Sequence, residues 1–218
     1  MNKTKQEVIE CMCRSGILPV FRTDDVRHLF PASKAYYDAG IGCVEYTTSM
    51  PNCLELVREG RASLPKDLLL GAGTVMDGPT VERAVQAGAQ FIASPGISAE
   101  MVEACRAHDV VSVVGAITPS EVIEALRLGA DVIKVFPATS VGPIFFSEIR
   151  GPFPKLCLMA AGGMSLGNLK EYVVAGAHVV TFSANGLEAA AYAGGDCAAI
   201  TRAATKWVEG VRAARQGK

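Results

Sequence analysis

The sequence predicts a (β/α)8 barrel, the TIM-barrel architecture, preceded by one extra N-terminal helix. Three observations predict it. Eight short apolar runs occur along the 218 residues. They alternate with helix-like segments, and their starts recur at roughly 20–25 residues, the length of one βα unit. The runs are also apolar on both faces, as strands of a parallel sheet covered by helices must be. An open doubly wound sheet is the alternative, and eight even repeats argue against it.

The runs, in order, are Ile17–Arg22, Cys43–Thr48, Leu68–Val75, Phe91–Gly96, Val110–Ile117, Val132–Ala138, Leu156–Gly163 and Val179–Ala184. Before the first, about twelve residues read as the extra helix. Pro31 falls in an otherwise helical segment, which predicts a kink or a late helix start. Thr118-Pro119-Ser120-Glu121 reads as an N-cap, a first-turn proline and a capping-box glutamate, and that helix should close at Gly129. Ala84–Gly88 and Val173–Gly176 also end in glycine, the usual left-handed stop. Ile200–Arg215 reads as a closing helix. No linker or low-complexity tract interrupts the pattern, so residues 1–218 are expected to form one barrel domain.

Composition narrows the function. Half of the residues are hydrophobic and 20% are charged, with a formal net charge of −1. That balance gives no case for nucleic acid or for an acidic membrane surface. The longest charge-poor stretches are too short to span a bilayer. No apolar signal region follows the first residues, so the expected compartment is the cytoplasm. The seven cysteines, Cys11, Cys13, Cys43, Cys53, Cys105, Cys157 and Cys197, are odd in number and several sit in apolar runs. Reduced, partly buried thiols are expected. Cys11 and Cys13 would lie about 200° apart on a helix, no second pair has zinc-ligand spacing, and no metal site is predicted. His28, His108 and His178 fall in helices or before strands and read as structural or surface residues, and Trp207 as a packing residue.

In such barrels the chemistry sits at the C-terminal ends of the strands. The polar and glycine residues there are Arg22, Glu45 with Thr47, Gly71-Ala72-Gly73-Thr74, Ser94-Pro95-Gly96, Lys134 with Phe136-Pro137, Gly162-Gly163 and Ser183. Lys134 is the sharpest signal. Alternation puts Val132, Lys134 and Phe136 on one face. An ammonium among such neighbours is poorly solvated, and desolvation favours the neutral amine that imine formation with a ketone needs. Glu45 lies in a second apolar strand, sharing a face with Cys43 and Thr47. The two residues read equally as a buried ion pair and as an imine-forming amine with its proton shuttle. Glycines at the strand ends open the mouth to a ligand. A Gly pair after strand seven with a hydroxyl after strand eight occupies the usual phosphate position of barrels. Gly71–Thr74 is not followed by a dinucleotide-binding pattern.

These residues carry a resemblance that spans nearly the whole chain. Ile17-Leu18-Pro19-Val20, Val44-Glu45, Gly71–Val75, Ala87–Phe91, Ser94-Pro95-Gly96, Lys134–Ala138, Gly162-Gly163 and the end from Leu187-Glu188 to Val208–Gly210 resemble the 2-keto-3-deoxy-6-phosphogluconate / 4-hydroxy-2-oxoglutarate (KDPG/KHG) aldolase family. The resemblance implies a homotrimer of (β/α)8 barrels, and a lyase that releases pyruvate by metal-free aldol cleavage with no cofactor beyond the covalent imine. Lys134 would form that imine and Glu45 would be the acid/base. Thr47, Thr74 and Pro95 would line the site, Phe136 would pack beside the imine, and Gly162, Gly163 and Ser183 would hold the far end of the substrate.

Two positions depart from the family pattern. The phosphogluconate enzymes carry Arg four residues after the Glu, where Ser49 stands here. Arg22 ends the first strand instead, as in the related 2-keto-3-deoxy-6-phosphogalactonate aldolases, and is the expected cation for the substrate carboxylate. Thr181-Phe182-Ser183 stands where the family has glycine before the serine. Phe182 is expected to narrow the phosphate cup or to remove a backbone approach, which keeps a shorter keto acid such as 4-hydroxy-2-oxoglutarate open as substrate. Two other readings use the same residues: an imine-dependent decarboxylase of a small keto acid, and a non-catalytic barrel that binds sugar acids or phosphate.

Overall fold

The computed structural model describes residues 3–217. All eight expected strands form: β1 (Ile17–Phe21), β2 (Cys43–Thr47), β3 (Leu69–Gly73), β4 (Phe91–Ala93), β5 (Val111–Ala116), β6 (Val132–Val135), β7 (Leu158–Ala160) and β8 (Val179–Ser183). They pair in parallel, each with the next, and β8 returns to β1 to close the barrel. The helices between them are α2 (Leu29–Asp38), α3 (Cys53–Ser63), α4 (Gly78–Gln86), α5 (Ala99–Ala107), α6 (Pro119–Leu128), α7 (Gly142–Ile149) and α8 (Leu169–Ala175). The extra helix α1 (Lys5–Ser15) precedes β1. A short α9 (Ala189–Gly194) and the long α10 (Cys197–Gln216) follow β8. The short α9 was not legible in the sequence, because its Ala-Ala-Ala-Tyr-Ala-Gly run has no periodic apolar stripe.

Local chemistry explains the boundaries. Thr4 caps α1 and Thr118 caps α6, each in a full capping box. Gly129 closes α6 in the left-handed conformation. Pro31 sits in the first turn of α2, where the missing N–H costs nothing, so the helix starts late rather than kinking.

Two apolar layers hold the fold. The outer one lies between strands and helices and includes Tyr36, Tyr46, Val57, Ile92, Phe146, Phe182 and Trp207. The inner one fills the lower barrel with Leu18, Cys43, Leu69, Phe91, Val111, Val113, Val132, Met159 and Val179. Helix α1 covers the floor. Its Lys5 bonds Asp131 at 2.9 Å, and its Val8 and Met12 are buried against the inner layer. Among the described residues no helix is long and apolar enough to cross a membrane.

Candidate active site

The inner face changes character from floor to mouth. Strands of such a barrel are tilted, so alternate strands share a layer of inward side chains. Followed around the barrel with that tilt, the pairings place Cys43, Phe91, Val132 and Val179 in one layer, and Leu18, Gly71, Val113 and Met159 above it. The next layer holds Glu45, Ala93, Lys134 and Thr181. Above it come Val20, Gly73, Gly115 and Ala161, and at the rim Thr47, Pro95, Phe136 and Ser183. Below Lys134 and Glu45 the barrel is packed with large apolar groups. Above them the layer is nearly stripped of side chains. The two ionisable groups are therefore reached from the mouth alone, and they face each other from β2 and β6 across the barrel.

Glu45 is 1% exposed and Lys134 is 9% exposed. Neither makes an ion pair among the described residues, and Glu45 Oε2 has no hydrogen-bond partner. The simple buried ion pair is thus not what the barrel holds. A buried carboxylate oxygen without a donor is costly. Gly73 lets it fit, because a Cβ at that position would collide with the Glu45 carboxyl group. Lys134 Nζ lies 5.7 Å from the centre of the Phe136 ring, within reach of a weak cation–π attraction.

Around this pair the rim is organised by hydroxyls. The exposed Arg22 side chain reaches across the mouth, donating from Nη1 to Ser49 Oγ at 3.3 Å and from Nη2 to Thr74 Oγ1 at 3.1 Å. Its backbone N–H donates to Asn185 Oδ1 at 3.1 Å. Thr47 is fully buried, and its hydroxyl donates to the Phe21 carbonyl and bonds Ser49 Oγ, both at 2.9 Å. Thr74 has φ +62°, a left-handed conformation that a β-branched residue adopts only when its surroundings impose it. The guanidinium thus occupies the region beside Ser49.

On the opposite side, Gly162 and Gly163 have φ of +87° and +76°. A side chain at either would meet Phe136 or Thr139. Their N–H groups donate no hydrogen bond among the described residues, and Asn168 Nδ2 ties the Gly163 carbonyl at 3.0 Å. Ser183 is exposed beside them at the end of β8.

Phe182 corrects an expectation. Its ring points outward into the helix layer, 4.6 Å from the centre of Trp207 and 5.6 Å from that of Tyr36. It does not enter the mouth, and the cup formed by Gly162, Gly163 and Ser183 stays free of it. The strand alternation that put Lys134 inward puts Phe182 outward.

The structure gathers Arg22, Glu45, Thr47, Thr74, Pro95, Lys134, Phe136, Gly162, Gly163 and Ser183 at one mouth. Sequence reasoning missed Gly115 and Asn185. An isolated glycine within Val113-Val114-Gly115-Ala116 signals close backbone approach, and Gly115 indeed admits the Pro95 carbonyl. Asn185 carries no local signal, since its partner Arg22 is 163 residues away. No three His, Cys, Asp or Glu side chains converge as metal ligands among the described residues.

Residues 8–203 match the family described as KDPG and KHG aldolase. The chain is 32% identical over 198 residues to a 2-dehydro-3-deoxy-phosphogluconate aldolase of Treponema pallidum, covering 89% of this chain and 92% of that one. It is 34% identical over 167 residues to the Pseudomonas aeruginosa protein of the same name, with 76% of each covered. The fold superposes with a TM-score of 0.82 on a KDPG aldolase from Legionella pneumophila, 27% identical, covering 90% of this chain and 96% of that one. That structure holds pyruvate captured at low pH as a covalent carbinolamine.

Proposed function

Because the chain belongs to the KDPG and KHG aldolase family and is accordingly a carbon–carbon lyase, we propose that it cleaves a phosphorylated 2-keto-3-deoxy sugar acid through an imine on Lys134, releasing pyruvate. The observation that carries this reading is the layer shared by Lys134 and Glu45. Both are buried, unpaired and open only toward the mouth. The pyruvate carbinolamine in the Legionella protein supports the same chemistry here.

The roles follow from position. Lys134 Nζ adds to the C2 carbonyl carbon, and the carbonyl oxygen takes up a proton to give the carbinolamine. Glu45, facing the amine across the barrel, supplies the proton with which water leaves, and an iminium forms. Removal of the proton from the C4 hydroxyl breaks the C3–C4 bond. Its electron pair moves to C3 and on into the iminium, giving an enamine and a free aldehyde. Protonation at C3 and addition of water then release pyruvate and restore the amine. The iminium is the electron sink, so this route needs no metal or organic cofactor.

Arg22 is the cation placed to bind the substrate carboxylate, held in place by Ser49 and Thr74. Thr74, Pro95 and Phe136 line the pyruvyl end, and Thr47 supports the rim through Ser49. Gly162, Gly163 and Ser183 offer unspent N–H groups and a hydroxyl at the far end. With Phe182 turned outward, that end suits a phosphate.

The test is reductive trapping. With pyruvate and borohydride, a 1-carboxyethyl group is expected on Lys134 and on no other lysine. An unmodified Lys134 would overturn the imine. Turnover of 2-keto-3-deoxy-6-phospho sugar acids is expected to exceed that of 4-hydroxy-2-oxoglutarate, and the reverse order would overturn the phosphate assignment.

A further inference from the structure

At the opposite end of the barrel, two cysteines meet that the aldol chemistry does not use. Cys13 lies near the end of α1, and Cys157 immediately precedes β7. Their sulfur atoms are 3.6 Å apart, although 144 residues separate them in the chain. We propose that Cys13 and Cys157 form an oxidative modification site, converted by a peroxide-class oxidant into an intramolecular disulfide that staples α1 to the foot of β7.

The backbone on each side is already held. The Cys157 carbonyl accepts from Ile133 N at 3.0 Å, locking it to β6. The Cys13 carbonyl accepts from Arg215 Nη2 at 2.7 Å, and the same guanidinium bonds the carbonyls of Arg14 and His178. Closing the sulfurs from contact to bonding distance therefore falls to side-chain rotation, which disulfide geometry tolerates when the two backbones are suitably placed. Both residues are half-buried, so a small oxidant reaches them.

The pair is also chemically unequal. The hydrogen bond shared by the Cys13 and Cys157 sulfurs, together with the Arg215 cation, lowers the Cys13 thiol from its ordinary value, against burial and Glu10. Cys157 is pushed up by its bond to Cys13 and by burial. The remaining neighbours differ: Cys11 bonds the Gly42 carbonyl, and Cys11 and Cys43 are both pushed up by burial. The Arg215 guanidinium, fastened to the Cys13 carbonyl, favours a thiolate at Cys13, and the thiolate is the nucleophile.

The reaction balances in two steps. Cys13 thiolate attacks a peroxide oxygen, the O–O bond breaks, and hydroxide leaves as water once protonated, giving a sulfenic acid. The Cys157 sulfur then attacks the Cys13 sulfur. The S–S bond forms, the S–O bond breaks, and a second water departs with the Cys157 proton. Two thiols lose two electrons, and one peroxide gains them. A dithiol reverses the change by exchange. Met159, two residues beyond Cys157, is the register partner of Lys134. The staple therefore tightens the floor, three layers beneath the one that holds Lys134 and Glu45, without touching the mouth.

The full-length protein treated with hydrogen peroxide and then alkylated tests this. Digestion without reductant is expected to yield a Cys13–Cys157 linked peptide, with two fewer alkylated thiols. The Tm is expected to rise by roughly 5–10 °C and to fall back with dithiothreitol, because the bond closes a long loop. Cys157→Ser should lose both the link and the Tm shift, and Cys197→Ser should keep both. Linkage to a different cysteine, free Cys13 and Cys157 after other thiols have oxidised, or a Tm shift that survives Cys157→Ser would each overturn the proposal. Peptide mapping of the unmutated protein decides even if a variant fails to fold.

Discussion

Each end of β6 has a lysine and a carboxylate, and the two systems are opposites. At the foot, Asp131 Oδ2 accepts from Lys5 Nζ at 2.9 Å, from Ser112 N at 2.8 Å and from Ser112 Oγ at 2.9 Å. Its backbone N–H donates to Ser112 Oγ in return. Every charge there is met, and the result clamps α1 to β5 and β6. At the top, three residues along, Lys134 faces Glu45 with neither group paired and one carboxylate oxygen without a donor. A satisfied polar cluster rigidifies a fold. An unsatisfied one is tolerated only where the surrounding structure bears the cost. The foot is architecture and the mouth is chemistry, and the lysine and carboxylate types alone do not tell them apart.

Exchanging the lysines breaks the comparison most sharply. Lys134→Met is expected to lower pyruvate release by on the order of 10⁴-fold or more, since it removes the covalent nucleophile. The Tm should hold or rise, because an unpaired polar group in the barrel interior gives way to an apolar one. Lys5→Met should do the reverse, keeping turnover within about twofold and lowering the Tm, as the Asp131 cluster loses its cation. Steady-state assays with thermal melts on both variants check this. A Lys134→Met enzyme that retains cleavage would place the imine elsewhere.

The carboxylates should follow the same division at smaller amplitude. Glu45→Gln is expected to cost about 10²- to 10⁴-fold in kcat, the range of general acid–base catalysis, with no loss of stability. Asp131→Asn should leave kcat unchanged and cost roughly 1–3 kcal/mol, as three donors lose their charged acceptor. Single-turnover kinetics and urea melts separate the two outcomes. Equal stability losses would show that Glu45 is structural.

How much of this was legible in the sequence depended on the range of the interaction. The strands, the capping boxes of α1 and α6 and the inward face of Lys134 follow from neighbours a few residues apart, so periodicity and capping rules reveal them. The alternation at β8 also carried the fate of Phe182, but its outward pocket is built by Tyr36 and Trp207 from distant helices. The substitution therefore read as an obstruction in the mouth. Asn185 and the Cys13–Cys157 contact were illegible for the same reason, since only barrel closure brings those partners together. The absence of an ion pair between Glu45 and Lys134 among the described residues likewise emerges only once β2 and β6 are set in the closed barrel.

The smallest effect is expected at Thr74, where the mouth departs from the rest of the backbone. Among the described residues the other non-glycine positions at positive φ are Asn52 and Asp109, types that tolerate the left-handed region beside helix ends. Thr74 is β-branched, and its hydroxyl holds Arg22 Nη2. Thr74→Gly removes both the strain and the hydroxyl. Stability should stay level or rise by up to about 1 kcal/mol, the relief of a left-handed β-branched residue being partly offset by the freedom glycine gains in the unfolded chain. The kcat/KM should fall by about 5- to 10-fold, mostly through KM, because Arg22 keeps Ser49 as its remaining anchor. Thr74→Ser should recover most of that loss. If Thr74→Gly instead destabilises the protein and leaves KM unchanged, the conformation at Thr74 serves the fold, and the division between a structural foot and a chemical mouth fails at that residue.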